Sequence, residues 1–261
     1  MIITFITPTL DHWDMMKEHL WYVKLNTNIE LNTGIEGIEF IVVDDNSLDK
    51  TKDCLEQYLD LLGFDFRIIR HEDKIHGFGP SVNEAIMEAQ GKYICIWNSD
   101  MLPKKNWLSP LLRCLDFEDY GMVSSSLIEP CHMSKEQFFN EDSLFSFSEI
   151  PPIEDWAKDG PWMFRKEVFD KVGLFDERFK YGQWEDSDYL LRMAKNGYKF
   201  GKCLNSFVYH YSSVTQHGSL LERIGNSYIW ENRQKFEDKW GTVHIDGWFE
   251  KFYREYKENR K

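Results

Sequence analysis

The chain has 261 residues, and 44 Asp and Glu against 31 Lys and Arg give it a formal charge of −13. That balance argues against a nucleic-acid or anionic-membrane surface as the main partner, because both are held by basic patches. It suits a site that gathers carboxylates around a cation. The length fits one sizeable domain, with or without a helical annex.

No apolar stretch approaches the roughly 20 residues that span a bilayer. The opening MIITFITPTL lacks the basic flank of a signal peptide, so a cytoplasmic protein is expected. The five cysteines show no CxxC spacing, which points to buried free thiols instead of a disulfide framework or zinc knuckle.

In chain order, Ile2 to Thr7 is a β-branched and aromatic run ended by Pro8, which predicts a strand. Residues 11–27 place Met15, Met16, His19, Leu20 and Val23 at helical spacing. GIEFIVV is a second strand, closed by Asp44-Asp45-Asn46-Ser47. Asp49 to Leu62 is a helix with Cys54, Leu55, Tyr58 and Leu62 on one face. FRIIR follows as a strand, Pro80 to Gln90 as a helix and KYICIW as a fourth strand.

Such alternation predicts βαβ units and a mostly parallel sheet. Right-handed crossovers bring the strand ends to one edge, so Thr7, Asp45 and Asp100 are expected to line one crevice. Beyond Trp107 come a helix, the strand GMVSSSLI and an aperiodic stretch from Glu129 to Asp159, read as a lid or binding loop. SFVYHY reads as a strand and residues 219–240 as one helix carrying Leu221, Ile224, Tyr228, Phe236 and Trp240. The aromatic and basic tail from Trp248 to Tyr256 reads as an amphipathic helix, docked on its own domain or touching a membrane or partner.

Asn98-Ser99-Asp100, where KYICIW stops, admits two readings. One is an ordinary strand-ending turn; the other is a ligand site at the carboxyl end of a central strand. HGFGPSVNEAI opens a helix with Gly77 and Gly79 but lacks the third glycine of a dinucleotide fingerprint. Backbone at such a turn still approaches a ligand closely, which suggests nucleotide contact of another kind.

Asp44, Asp45, Asp100, Glu185, Asp186 and Asp188 are oxygen ligands of the type that suits magnesium or manganese, with substrate phosphates completing the shell. A helix cap explains one carboxylate of WEDSD well and the whole cluster poorly. His210, ending the run FVY, is either a hydrogen-bonded core residue or a neutral ligand beside Asp100.

TPTL, VVDDNSLDKT, HGFGPSVNEAIMEAQGKYICIWNSDMLP, GPWMFRKEVFDKVGLFDERF and WEDSDYLLRM, in this order over residues 1–215, resemble the family 2 glycosyltransferases of GT-A fold. The resemblance implies an α/β fold: a Rossmann-like nucleotide-binding half with a mostly parallel central sheet (1–107), an acceptor half (108–215) and C-terminal helices (216–261). Thr7 and Asp45 would then contact nucleobase and ribose, with Pro8, Thr9, Gly77, Asn83, Asn98 and Ser99 also on the donor side. Asp100 matches the last residue of the DXD motif and would ligate Mn2+ or Mg2+ on the donor diphosphate, with His210 as a further ligand. Asp186 would be the general base and Glu185 its neighbour toward the acceptor.

Two positions depart from the family pattern: the DXD motif stands as Asn98-Ser99-Asp100, and Ser81 occupies a place that is often basic. Trp162, Trp184 and Tyr181 fall on the implied acceptor side, where aromatic faces pack on sugars or simply close the core. The implied reaction moves a sugar from a nucleotide-sugar, a UDP-sugar first, to a hydroxyl of a glycan, lipid-linked saccharide or other acceptor by inverting displacement. A nucleotidyltransferase and a catalytically silent binding module are the alternatives. Peripheral membrane contact or a homo-oligomer would run through the C-terminal helices.

Overall fold

The computed structural model describes residues 2–27, 35–117, 120–141, 153–154, 160–212, 218 and 220–241. Its first half alternates β1 (Ile2–Thr9), α1 (Trp13–Asn26), β2 (Gly37–Asp44), α2 (Thr51–Leu62), β3 (Asp65–Arg70), α3 (Phe78–Glu88) and β4 (Tyr93–Ile96). The four strands run parallel in the order β3-β2-β1-β4. Strands covered on both faces need continuous apolar runs. Phe40 to Val43 and Tyr93 to Ile96 supply them, every one buried. Met16, Leu20 and Val23 of α1 cover one face of the sheet, and Val82, Ala85 and Ile86 of α3 the other.

The register matters most for function. Thr9 pairs with Asp44, Asp44 with Arg70, and Ile6 with Ile96, so the four strands stop at one edge.

The second half contains β5 (Met101–Pro103), α4 (Leu108–Phe117), β6 (Tyr120–Ile128), α5 (Lys135–Asn140), β7 (Ile153–Glu154), β8 (Trp162–Arg165), α6 (Glu167–Val172), α7 (Glu185–Lys195), β9 (Lys199–His210), α8 (Leu221–Ile224) and α9 (Ser227–Trp240). The sheet continues as β4-β8-β6-β9-β5, with β7 also paired to β9. Its new pairs are antiparallel except β6 with β9.

Three expectations are corrected. The helix over 219–240 is two helices, because Gly225 takes φ 73 and ends α8 before α9 begins. A short helix, α5, interrupts the stretch read as aperiodic; Ser134 and Gln137 form the reciprocal capping box that starts it. β9 begins seven residues before SFVYHY, passing a register shift near Cys203 to Phe207 that hides its alternation. Of the cysteines, all free, Cys95, Cys114 and Cys203 are buried, Cys54 is half-buried and Cys131 is exposed against expectation. The Trp248–Tyr256 tail and much of the 129–159 stretch lie outside the described residues. Among the described residues no helix is long and apolar enough to cross a membrane.

Helix α9 packs on the same sheet. Phe236 and Trp240 of α9 belong to the apolar cluster that also holds Tyr189, Leu190 and Phe200. Polar fastening adds to this. Asp188, fully buried in α7, takes the Trp240 indole N–H at 2.9 Å, Lys239 Nζ at 2.6 Å and Arg192 Nε at 2.9 Å. Removing the carboxylate orphans those donors in a buried setting. Asp188→Ala is expected to cost about 3 kcal/mol, the low end of the range for broken buried pairs, because both cations retain some water. Denaturant unfolding that leaves stability within about 0.5 kcal/mol, as for an ordinary surface change, would show that Asp188 does not fasten α9.

Candidate active site

A cleft of about 260 Å³ opens at the edge where β1, β2 and β4 stop. Pro8 and Thr9 reach it from the end of β1, Asp45 from β2, Gly77 from the turn into α3, and Asn98, Ser99 and Asp100 from beyond β4. Trp162, Glu185, Asp186 and His210 line it as well. Asp45 and Asp100 are thus brought together as expected from their strand-end positions.

Three expected residues are elsewhere. Thr7 is fully buried inside β1, and its hydroxyl lies 3.2 Å from Nε2 of His19 in α1. His19 Nδ1 donates to the Met101 carbonyl at 2.6 Å, so Nε2 is the acceptor for Thr7. Burial lowers the His19 pKa to about 4 and keeps this ring neutral. Asn83 is consumed as a brace, donating to the Phe175 carbonyl and Glu177 and accepting from the Phe175 N–H. Trp184 turns toward α9, its ring 5.0 Å from that of Phe236. None of the three is among the residues lining the cleft.

Asp45 organises one side of the cleft. Its Oδ1 accepts from His71 Nδ1 at 2.7 Å and the His76 N–H at 2.8 Å, and its Oδ2 accepts from the Gly77 N–H at 2.8 Å. His71 also donates through Nε2 to Glu84 at 2.8 Å. Both ring nitrogens face carboxylates, so both carry protons. The Asp45 hydrogen bond leads in raising the His71 pKa to about 9. Gly77 has φ 95, and a Cβ there would lie 2.4 Å from the Tyr181 Cα, so only glycine fits.

Asp100 and His210 meet because β5 folds back on β9. The pairing of Met101 with His210, and the Tyr211 N–H on the Asp100 carbonyl, set them side by side. His210 Nε2 lies 3.4 Å from Asp100 Oδ1. Across the cleft the segment Tyr181 to Trp184 takes φ values of 67, 142, 74 and 75 and delivers Glu185 and Asp186 at the start of α7. Left-handed backbone costs roughly 1–2 kcal/mol at each non-glycine position. Glu185 is buried, which pushes its pKa well above the carboxylate range, helped by the charge of Asp186. Asp186 is less buried and accepts the Ser187 N–H at 2.6 Å.

Six lining residues, Thr9, Ser81, Trp97, Asp100, Trp162 and Glu185, each carry a buried polar side-chain atom with no hydrogen-bond partner among the described residues. Folded proteins rarely leave such groups unmade, and a concentration of them in one concavity marks a ligand site. His71 escaped the sequence reading although it follows its strand just as Asp45 does. Tyr181, expected on the acceptor side, lines the cleft, as do Gln183 and Leu220, which nothing in the local sequence distinguishes.

This strand order and cleft define the GT-A class of glycosyltransferase folds. The model of "Glycosyl transferase family 2" matches residues 4–173, and the chain belongs to that family. It is 24% identical over 224 residues to the chondroitin synthase of Pasteurella multocida, covering 72% of this chain and 23% of that protein. The chain therefore spans about a quarter of that relative's length. Among solved structures, GalNAc-T7 with UDP, GalNAc and Mn2+ superposes with a TM-score of 0.70 at 13% identity, over 95% of this chain and 49% of that one. TarS of S. aureus (residues 1–349) with UDP-GlcNAc gives 0.66 at 16% identity, over 91% and 66%.

His71 provides a direct check on this geometry. A pKa raised above the unfolded value of 6.5 contributes stability that is complete below that pH and is lost as pH rises through about 9. An NMR titration is expected to show a His71 midpoint near 9 and loosening of the Asp45 to Gly77 turn above it. A midpoint near 6.5 would contradict the doubly protonated clamp.

Proposed function

We propose that this chain transfers a sugar from a nucleotide-sugar, a UDP-sugar first among them, to an acceptor hydroxyl with inversion. The observation that carries this reading is the set of six buried polar atoms without partners, all on residues of the one cleft. Membership of the family and the nucleotide sugars named with the similar folds, UDP with GalNAc and UDP-GlcNAc, agree with it. The donor's base and ribose lie against Pro8, Thr9, Asp45 and Gly77, and its diphosphate near Asn98, Ser99 and Asp100. A glycan hydroxyl enters on the side of Trp162, whose indole supplies a flat apolar face and an N–H.

Asp186 accepts the proton of the incoming hydroxyl. The new bond joins that oxygen to the anomeric carbon as the bond to the diphosphate breaks, so the nucleoside diphosphate leaves with the electron pair. Glu185, kept protonated near neutrality by burial, donates to the acceptor instead of competing for its proton. Two adjacent carboxylates thereby take different roles because their surroundings differ.

Asp100 and His210 fit a divalent cation, Mn2+ or Mg2+. A buried carboxylate oxygen without a hydrogen-bond partner stands beside an imidazole, a donor set suited to such ions. When bound, the ion supplies Lewis-acid neutralisation of the charge on the departing diphosphate.

Asp186→Asn is expected to abolish transfer, at least a hundredfold given the usual ~10²–10⁴ contribution of a general base, while UDP still binds. Turnover equal to the parent would remove Asp186 as base. For Asp100→Ala, calorimetry with UDP is expected to show that the gain in affinity on adding Mn2+ disappears. A parent protein binding UDP equally with and without Mn2+ would refute the cation site, and UDP binding without turnover of any UDP-sugar would support a silent binding module.

A further inference from the structure

Four consecutive positive-φ residues, Tyr181 to Trp184, lead into the Glu185-Asp186 pair. Such a strip persists only where its surroundings over-determine it. Its fastening comes from Asn232, about fifty residues downstream in the middle of α9 and fully buried. The Asn232 Nδ2 donates to the carbonyls of Lys180 at 2.9 Å, Gly182 at 2.9 Å and Gln183 at 3.2 Å, and its Oδ1 accepts the Lys180 N–H at 3.1 Å. Because three carbonyls face the amide nitrogen, the orientation of the side chain is unambiguous. An asparagine is a poor choice for a buried helix interior unless its amide is fully used. Here it substitutes for the backbone partners that left-handed residues forgo.

We propose that Asn232 is a positioning residue for the transfer reaction: its amide holds the left-handed strip so that Glu185 and Asp186 present their carboxylates to the cleft. The proposal rests on the reading of Asp186 as base. It assigns to α9 a part in catalysis separate from its part in the core. The helix is also fastened by Trp240 and by Lys239 on Asp188, neither of which involves the strip, and by Phe236, whose ring reaches the core cluster as well as Trp184. Apart from Lys235 of its own helix, Asn232 makes the polar contacts described above only to residues 180–183. Loss of the amide should therefore free the strip and leave α9 in place.

Two variants, Asn232→Ala and Asn232→Asp, test this beside Asp186→Asn. The aspartate keeps the volume and the acceptor for Lys180 but turns a carboxylate oxygen toward three carbonyls. Turnover is read with UDP-GlcNAc, UDP-GalNAc and UDP-glucuronate as donors, binding with UDP by calorimetry, and local order by amide hydrogen exchange. In both Asn232 variants kcat is expected to fall about a hundredfold, as for a misplacement near 1 Å, with KM for the donor and UDP affinity within about twofold. Exchange should rise in peptides covering 180–188 and stay slow across 227–240. Parent-like kcat, a loss confined to KM, or exchange rising equally through α9 would overturn the assignment. If Asp186→Asn turns over like the parent, the base reading fails; if it is inactive while both Asn232 variants are parent-like, only the positioning role fails.

Discussion

The carboxylate of Asp45 receives three hydrogens at once, and one side of the cleft depends on that convergence. His71, His76 and Gly77 belong to the connection between β3 and α3, which has no ladder of its own to fix it. By holding two backbone N–H groups and a doubly protonated imidazole, Asp45 sets where Gly77 meets Tyr181, and so where the two walls of the cleft touch. A residue expected only to contact ligand is also the organiser of the turn that shapes the site. A neutral isostere at this position would lose both functions together, and activity alone would not separate them.

The same economy appears at the opposite wall. The left-handed strip before Glu185 is held from α9, and α9 is held by Asp188, two residues beyond Asp186 in the same motif. Sequence WEDSD thus contains one carboxylate that secures the scaffold and two that face the cleft. Asp176 strengthens the arrangement, its carboxyl held well below the usual range first by Arg178 and then by Lys239.

The parallel half of the sheet was legible because its signals are local: β-branched runs, helical spacing and a crossover rule that leaves few topologies. Asp45 and Asp100 were readable as cleft residues for that reason, each standing just past a strand. Thr7 was not: it stops two residues short of the end of β1, where its hydroxyl is taken up by His19 of α1, and only Thr9, at the last position of the strand, lines the cleft. Asn83 reads as a polar helix residue, and only the tertiary fold shows that the loop around Phe175 consumes it. Asn232 carries no local signal at all. It is one polar residue in a polar helix, and its partners lie about fifty positions away.

Several carboxylates at and around this end of the sheet are charge-paired. Asp44 is matched by Arg70 at 2.8 Å, Asp45 by His71 at 2.7 Å, and Asp11 by Arg223 at 3.4 Å, with Arg223 also bound to Asn46. At this end of the sheet, then, each of these carboxylates arrives with its own cation. Asp100 has only the imidazole of His210 within ion-pair distance among the described residues. Two like charges about 4 Å apart repel by roughly 4 kcal/mol at an effective dielectric of 20. A diphosphate placed beside Asp100 would meet that repulsion unless a divalent cation lay between them. A lone carboxylate, otherwise a liability to an anionic ligand, would with such a cation become a group that draws a phosphate into place.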